Sequence, residues 1–265
     1  MITRNLNERT INCGIETLEQ RKTLIDEFNK SIITTGVPKI DLVFNGMRRG
    51  CLYSICAGTG VGKSTILLAT AKSMARQGKK VLYLSIEMSI EMMAQYCLDD
   101  EPNLTICEFN DTPEDWQGLR PIVEDYDIIC YDYLGAILED WNQLIIKTDA
   151  LANTARTWNI TILTANQMNT AEFVKDESNP KLNVEDSLHT TQYIAYAKGM
   201  ATKLSGGAYL VKRGTNLYLY AFKNRYGVLT KEPQLINTLD YKNKEWKEEN
   251  PYKVPDLRSF KFERI

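Results

Sequence analysis

The chain of 265 residues has little histidine, no surplus of positive charge and no long apolar run. Its single histidine, His189, reads as a surface or helix-packing residue. Lysine and arginine number 32 against 34 acids, a net charge of -2. A broad basic groove for nucleic acid is therefore not expected, although a narrow pore or backbone amides can still bind it. Six cysteines are present, without C-x-x-C spacing, and Cys51, Cys56, Cys107 and Cys130 lie in apolar runs. They read as small buried hydrophobes in a reducing cytosol. No run approaches the roughly 18–20 apolar residues of a membrane span. The polar start after Met1 does not resemble a secretory signal, so a soluble, cytoplasmic protein is expected.

What is present is ordinary globular composition, 43% hydrophobic and 25% charged. Residues 15–28 carry a narrow helical stripe of Ile15, Leu18, Leu24, Ile25 and Phe28. A connector with Gly36, Pro38, Gly46 and Gly50 follows. From residue 51 the chain alternates apolar runs with helical stretches. Strands are expected at 51–57 (CLYSICA), 80–86, 127–133 and 160–165, and helices at 63–77, 89–98 and 141–158. The runs are continuously apolar, as strands of a parallel sheet covered on both faces should be. Residues 168–184 show no periodic signal, and a further helical stretch runs to about residue 204. Then 208–212 and 217–223, joined by Arg213-Gly214-Thr215-Asn216, predict a hairpin. Strand-like pieces at 234–239 and 245–248 complete an α/β core, mainly parallel, with a C-terminal antiparallel extension.

The sharpest signal is Ala57-Gly58-Thr59-Gly60-Val61-Gly62-Lys63-Ser64-Thr65 between a strand and a helix. It fits the phosphate-binding loop G-x-x-x-x-G-K-[ST], with Ala57 in place of the first glycine. Glycines let successive N–H groups turn inward onto phosphate oxygens, and the helix N-terminus adds favourable partial charge. Lys63 is expected to reach the β- and γ-phosphates of ATP, and Ser64 to hold Mg2+. Asp132 follows the apolar run 128–131 and is the second expected metal-site residue. Glu87, after the second strand, is the candidate base for the attacking water. Gln167, after the fourth strand, stands where a γ-phosphate sensor would. Lys223 and Arg225 alternate on one face at a strand end, where paired cations can clamp phosphate charge.

Together these segments resemble the motor domain of DnaB-like ring helicases, a RecA-like ATPase class. The resemblance is carried by Thr35-Gly36 with Asp41, by the phosphate loop, and by Leu84-Ser85-Ile86-Glu87-Met88-Ser89. Asp132-Tyr133-Leu134, Ala165-Asn166-Gln167-Met168-Asn169, Phe222-Lys223-Asn224-Arg225-Tyr226-Gly227 and Asp240-Tyr241 with Trp246 extend it over about residues 30–248. It implies a linker helix within 1–30, an ATPase motor over 31–250 and a tail over 251–265. It assigns water activation to Glu87, γ-phosphate sensing to Gln167, and a finger acting on a neighbouring subunit to Lys223 and Arg225. It further implies a homo-oligomeric, hexameric ring that uses ATP and Mg2+ to move 5′ to 3′ on single-stranded DNA during replication. A primase or helicase loader is an expected partner. In this resemblance DNA meets residues 170–199, which mix Lys175, Lys181 and Lys198 with Asp176, Glu177, Glu185 and Asp186. Nothing in the sequence resembles a DnaB collar or a primase zinc site, so a bare motor of phage or mobile-element type is expected. A filament-forming recombinase or mediator ATPase shares the loop and the core and is the alternative.

Overall fold

The computed structural model describes residues 18–97, 101–134, 141–194, 198–236, 239–240, 242 and 244–246. The start of the stripe at Ile15, Cys13 and the tail at 251–265 lie outside the described residues. The first helix, α1, covers Leu18–Lys30. A short ribbon of β1 (Ile32–Ile33) and β2 (Met47–Arg48) brackets α2 (Pro38–Phe44). The core then runs β3 (Leu52–Ala57), α3 (Lys63–Arg76), β4 (Val81–Ser85), α4 (Ile90–Ala94), β5 (Leu104–Glu108), α5 (Pro113–Leu119), β6 (Ile128–Leu134), α6 (Trp141–Trp158) and β7 (Thr161–Gln167). After it come α7 (Thr170–Glu177), α8 (Val184–Ser187), α9 (Lys198–Lys203), β8 (Gly206–Arg213), β9 (Asn216–Asn224), β10 (Gln234–Ile236), β11 (Leu239–Asp240) and β12 (Glu245–Trp246).

Eight of the described strands form one sheet in the order β10-β9-β8-β3-β7-β6-β4-β5. From β8 to β5 every pairing is parallel. β9 and β10 are added antiparallel at one edge. The expected parallel core with an antiparallel extension is therefore present. The cause of the apolar runs is visible in β3, which is buried throughout. Tyr53, Ile55 and Ala57 face the α3 side, while Leu52 and Cys56 face the side of α6 and α9. Both faces are covered, so no position is left for a polar alternation.

Three elements depart from the expected string. β5 is not among the expected strands, because it is an edge strand with partly exposed residues throughout. Its Cys107 is half-exposed rather than buried. α5 starts at a capping box in which Thr112 and Asp115 bond reciprocally, with Pro113 in the first turn. α7 lies in the stretch 168–184 that carries no periodicity, held by its N-cap Asn169, whose side chain accepts from the Glu172 amide. The predicted hairpin forms from β8 and β9, with Gly214 at φ 60° in the two-residue turn. His189 is part-buried, its ring nitrogen 2.9 Å from the Ala221 carbonyl. Among the described residues no helix is long and apolar enough to cross a membrane.

Candidate nucleotide-binding site

The loop 58–62 leaves the carboxyl end of β3 at the centre of the sheet, where open α/β sheets bind ligands. Gly60 (φ 73°) and Gly62 (φ 108°) adopt backbone angles that other residues rarely tolerate. Gly62 is also the N-cap of α3 and has no side chain to cap with. The first-turn amides of a 14-residue helix are thus left for an anion, with the helix dipole behind them. Lys63 Nζ donates to the Gly58 carbonyl at 3.3 Å and sits 5.2 Å from the Tyr133 ring centroid. Burial pushes its pKa down, while Glu87 and then Asp132 hold it up.

α3 crosses the sheet over β7 and β6, which brings its first turn above Asp132. Ser64 Oγ donates to Asp132 Oδ1 at 3.0 Å, and Tyr83 donates to Oδ2 at 2.5 Å. The carboxyl is almost fully buried, which raises its pKa, while the bonds from Tyr83 and Ser64 oppose the rise. β6 continues to Leu134, so Asp132 lies within the strand rather than ending it. β4 stops at Ser85, and Glu87 stands two residues beyond it, exposed. Glu87 nonetheless acts electrostatically on Lys63, Asp132 and Tyr133, so it faces the same space. Gln167 closes the arrangement from β7. It is in register with Ala57, and its Nε2 donates to Thr59 Oγ1 at 3.3 Å.

Lys63, Ser64, Glu87, Asp132 and Gln167 thus meet at one edge of the sheet. Lys223 and Arg225 do not join them. Lys223 Nζ donates to the Ala201 carbonyl, and Arg225 Nη2 donates to the Thr202 carbonyl at 3.0 Å. Both cations do project the same way, onto the end of α9, but at the opposite edge of the sheet. Burial pushes Lys223 down to about 8, with Arg225 as the smaller cause.

The donors around Asp132 suit a magnesium nucleotide. Among the described residues no three His, Cys, Asp or Glu side chains gather as a metal cage. One carboxylate and one hydroxyl are what Mg2+ uses when phosphates and waters supply its other ligands. The leading segment plays a structural part. Asp41 is buried and accepts from the amides of Thr35 and Gly36 and from the Thr35 hydroxyl, and burial raises its pKa to about 6.

The segment expected to meet DNA is acidic and internally tied. Arg213 bridges Glu177 at 2.9 Å and Glu185 at 2.8 Å. Asp176 accepts from Gln192 and Tyr193. Lys175 and Lys181 are exposed.

The comparisons with known proteins agree with this architecture. Residues 32–124 match the profile of the DnaB-like helicase C terminal domain. The resemblance to DnaB-like motor domains therefore holds. A solved helicase ATPase domain superposes with a TM-score of 0.67 at 15% identity, covering 88% of this chain and 98% of that one. The fold is the RecA-like ATPase fold. Among curated proteins, the DNA repair protein RadA of Campylobacter jejuni is 46% identical over 70 residues, 25% of this chain and 16% of that protein. The DNA repair and recombination protein RadB of Methanobrevibacter smithii is 27% identical over 149 residues, 48% of this chain and 64% of that protein. The chain thus spans about a sixth of the first relative and just under two thirds of the second.

Two contributors were missed in the sequence. Tyr83 lies 49 positions from Asp132 and meets it only across two paired strands. Lys244 lies 3.8 Å from Met88 Sδ and 3.8 Å from the Tyr96 ring centroid, and its charge reaches Asp132. A tyrosine inside a fully buried strand was the available signal, since its hydroxyl needs a partner.

Proposed function

We propose that this chain is the ATP-hydrolysing motor of a helicase that translocates on single-stranded DNA as a homo-oligomeric ring. The carrying observation is the split of the sheet. A phosphate loop with Ser64 on Asp132 occupies one edge, and the paired cations Lys223 and Arg225 occupy the other. A site built this way is completed only by a second copy.

In this reading the amides of 58–64 bind the phosphates and Lys63 neutralises their β- and γ-oxygens. Ser64 and Asp132 hold Mg2+, which when bound supplies charge neutralisation on those oxygens. Glu87 orients the attacking water and takes its proton, as its exposed place beside Lys63 allows. Gln167, already on Thr59, reports the state of the γ-phosphate to the segment that begins at Met168. Arg225 and Lys223 of one copy stabilise the transition-state charge in the next. The 5′ to 3′ direction, six-membered ring, replicative role, phage or mobile-element type, host-cytoplasmic setting and primase or loader partners belong to this proposal through the resemblance alone.

The test is ATP turnover with and without single-stranded DNA, followed by unwinding of a forked duplex. ATP-dependent unwinding is the expected result. A second reading is a recombination or mediator ATPase, favoured by the matches to RadA and RadB. It expects turnover without unwinding, and continuous filaments rather than closed rings in electron micrographs with an ATP analogue and single-stranded DNA.

A further inference from the structure

We propose that Tyr83 is a positioning residue for the metal-site carboxylate, locking Asp132 in the orientation that presents Oδ1 to Ser64. This rests on the reading of Ser64 and Asp132 as a magnesium-nucleotide site.

β4 and β6 are neighbours, with Tyr83 opposite Cys130 and Ser85 opposite Asp132. Tyr83 is therefore the diagonal neighbour of Asp132 on the same face of the sheet. Such diagonals are about 7–8 Å apart, within reach of an aromatic side chain. The ring is fully buried, and its hydroxyl ends 2.5 Å from Asp132 Oδ2. Ser64 takes the other oxygen at 3.0 Å.

The terminal torsion of an aspartate is broad and roughly two-fold. A carboxylate held at one oxygen can swing; one held at both cannot. Ser64 is itself an expected metal-site residue, so its bond to Oδ1 is the one that changes when a metal arrives. The Tyr83 bond engages the other oxygen and leaves Oδ1 aimed at the site throughout. Partners that orient a metal-site residue typically contribute about 10–100-fold in metal affinity or activity. A phenylalanine here keeps the packing and loses only that hold.

The experiment compares wild type, Tyr83→Phe and Tyr53→Phe. Tyr53 is a second buried tyrosine, whose hydroxyl accepts from the Arg48 amide at the opposite end of β3 from the loop. Mn2+ binding to the ADP-loaded protein is read by electron paramagnetic resonance. ADP binding is read separately in EDTA, and the melting temperature is recorded for each variant. The expected result is Mn2+ affinity about 10-fold weaker or more in Tyr83→Phe, with ADP binding in EDTA unchanged. Tyr53→Phe should lose melting temperature without losing Mn2+. Tyr83→Phe that binds Mn2+ within about twofold of wild type, well short of that expected loss, overturns the proposal alone, as does an equal loss in Tyr53→Phe. Wild type that binds no Mn2+ with ADP overturns both the proposal and the reading beneath it.

Discussion

The amide of Arg225 donates to the carbonyl of Ser205 at 2.8 Å, and the amide of Ser205 donates in turn to the carbonyl of Leu52 at 2.7 Å. This row fixes Arg225 level with the start of β3, whereas the phosphate loop leaves its end at Ala57. The separation is about 16 Å along the strand and about 10 Å across two strand spacings. An arginine side chain cannot span it, so Arg225 cannot serve its own loop. Arg225→Ala should bind ATP normally and hydrolyse it about 10³–10⁵-fold more slowly. Mixing it with Lys63→Ala should restore part of the rate, because some boundaries then pair an intact loop with an intact finger. ATPase rate against mixing ratio, with single-stranded DNA present, is the measurement. A flat line at zero despite proven co-assembly would reject the finger.

Glu87 carries the second prediction. Its exposure leaves room for a water between it and a γ-phosphate, and its charge already faces Lys63. Glu87→Gln should bind ATP as wild type does and turn it over at least about 100-fold more slowly, the usual size of a general-base contribution. Lys63→Ala, by contrast, should abolish hydrolysis while keeping the fold. Nucleotide binding by fluorescence titration beside steady-state rates separates the two. Lost binding with normal residual turnover in Glu87→Gln would make that residue structural.

Much of this site was legible because its signals are local. A loop of fixed spacing sits between an apolar run and a helix, and the acids stand at or near the ends of two more runs. The edge strand β5 was not, because its half-exposed residues give neither a buried run nor a clean alternation. The start of α5 could have been read from Thr112-Pro113-Glu114-Asp115, a capping box written in the sequence. Tyr83 and Lys244 could not, since strand order and hairpin packing bring them to Asp132 from 49 positions before and 112 after. The separation of Lys223 and Arg225 from the loop was likewise invisible, because it depends on β9 running antiparallel.

α1 supplies a prediction about assembly. Among its described residues none is buried, and Leu18, Leu24 and Ile25 stand exposed. Only its end is held, where Phe28 meets Tyr226 edge-on at 5.2 Å and both rings flank the Arg48 guanidinium. A helix with an uncovered apolar stripe needs a surface outside its own domain. Deleting residues 1–30 should shift sedimentation toward monomers and reduce DNA-stimulated turnover, while the melting temperature changes little. An unchanged assembly state would show that α1 does not join subunits.

Lys223 carries the last prediction, because its charge depends on pH within the working range. Burial, and secondarily the neighbouring Arg225, bring its pKa to about 8 from the ordinary 10.5. Clamping phosphate requires the ammonium form, so kcat/KM should fall as pH rises through about 8. That profile is the one to use, since it reports the free enzyme, whereas a bound γ-phosphate would draw the pKa back up. Lys223→Arg stays charged over the whole range and should remove the alkaline limb. Stability should move the other way. The folded pKa lies below the unfolded one, so between about 8 and 10.5 the unfolded chain holds the extra proton. The contribution of Lys223 to folding is complete above that window and is lost as pH falls through about 8. Wild type should therefore gain melting temperature, relative to Lys223→Arg, over the same pH interval in which it loses activity. Parallel loss of both in wild type would mean that another group governs the alkaline limb.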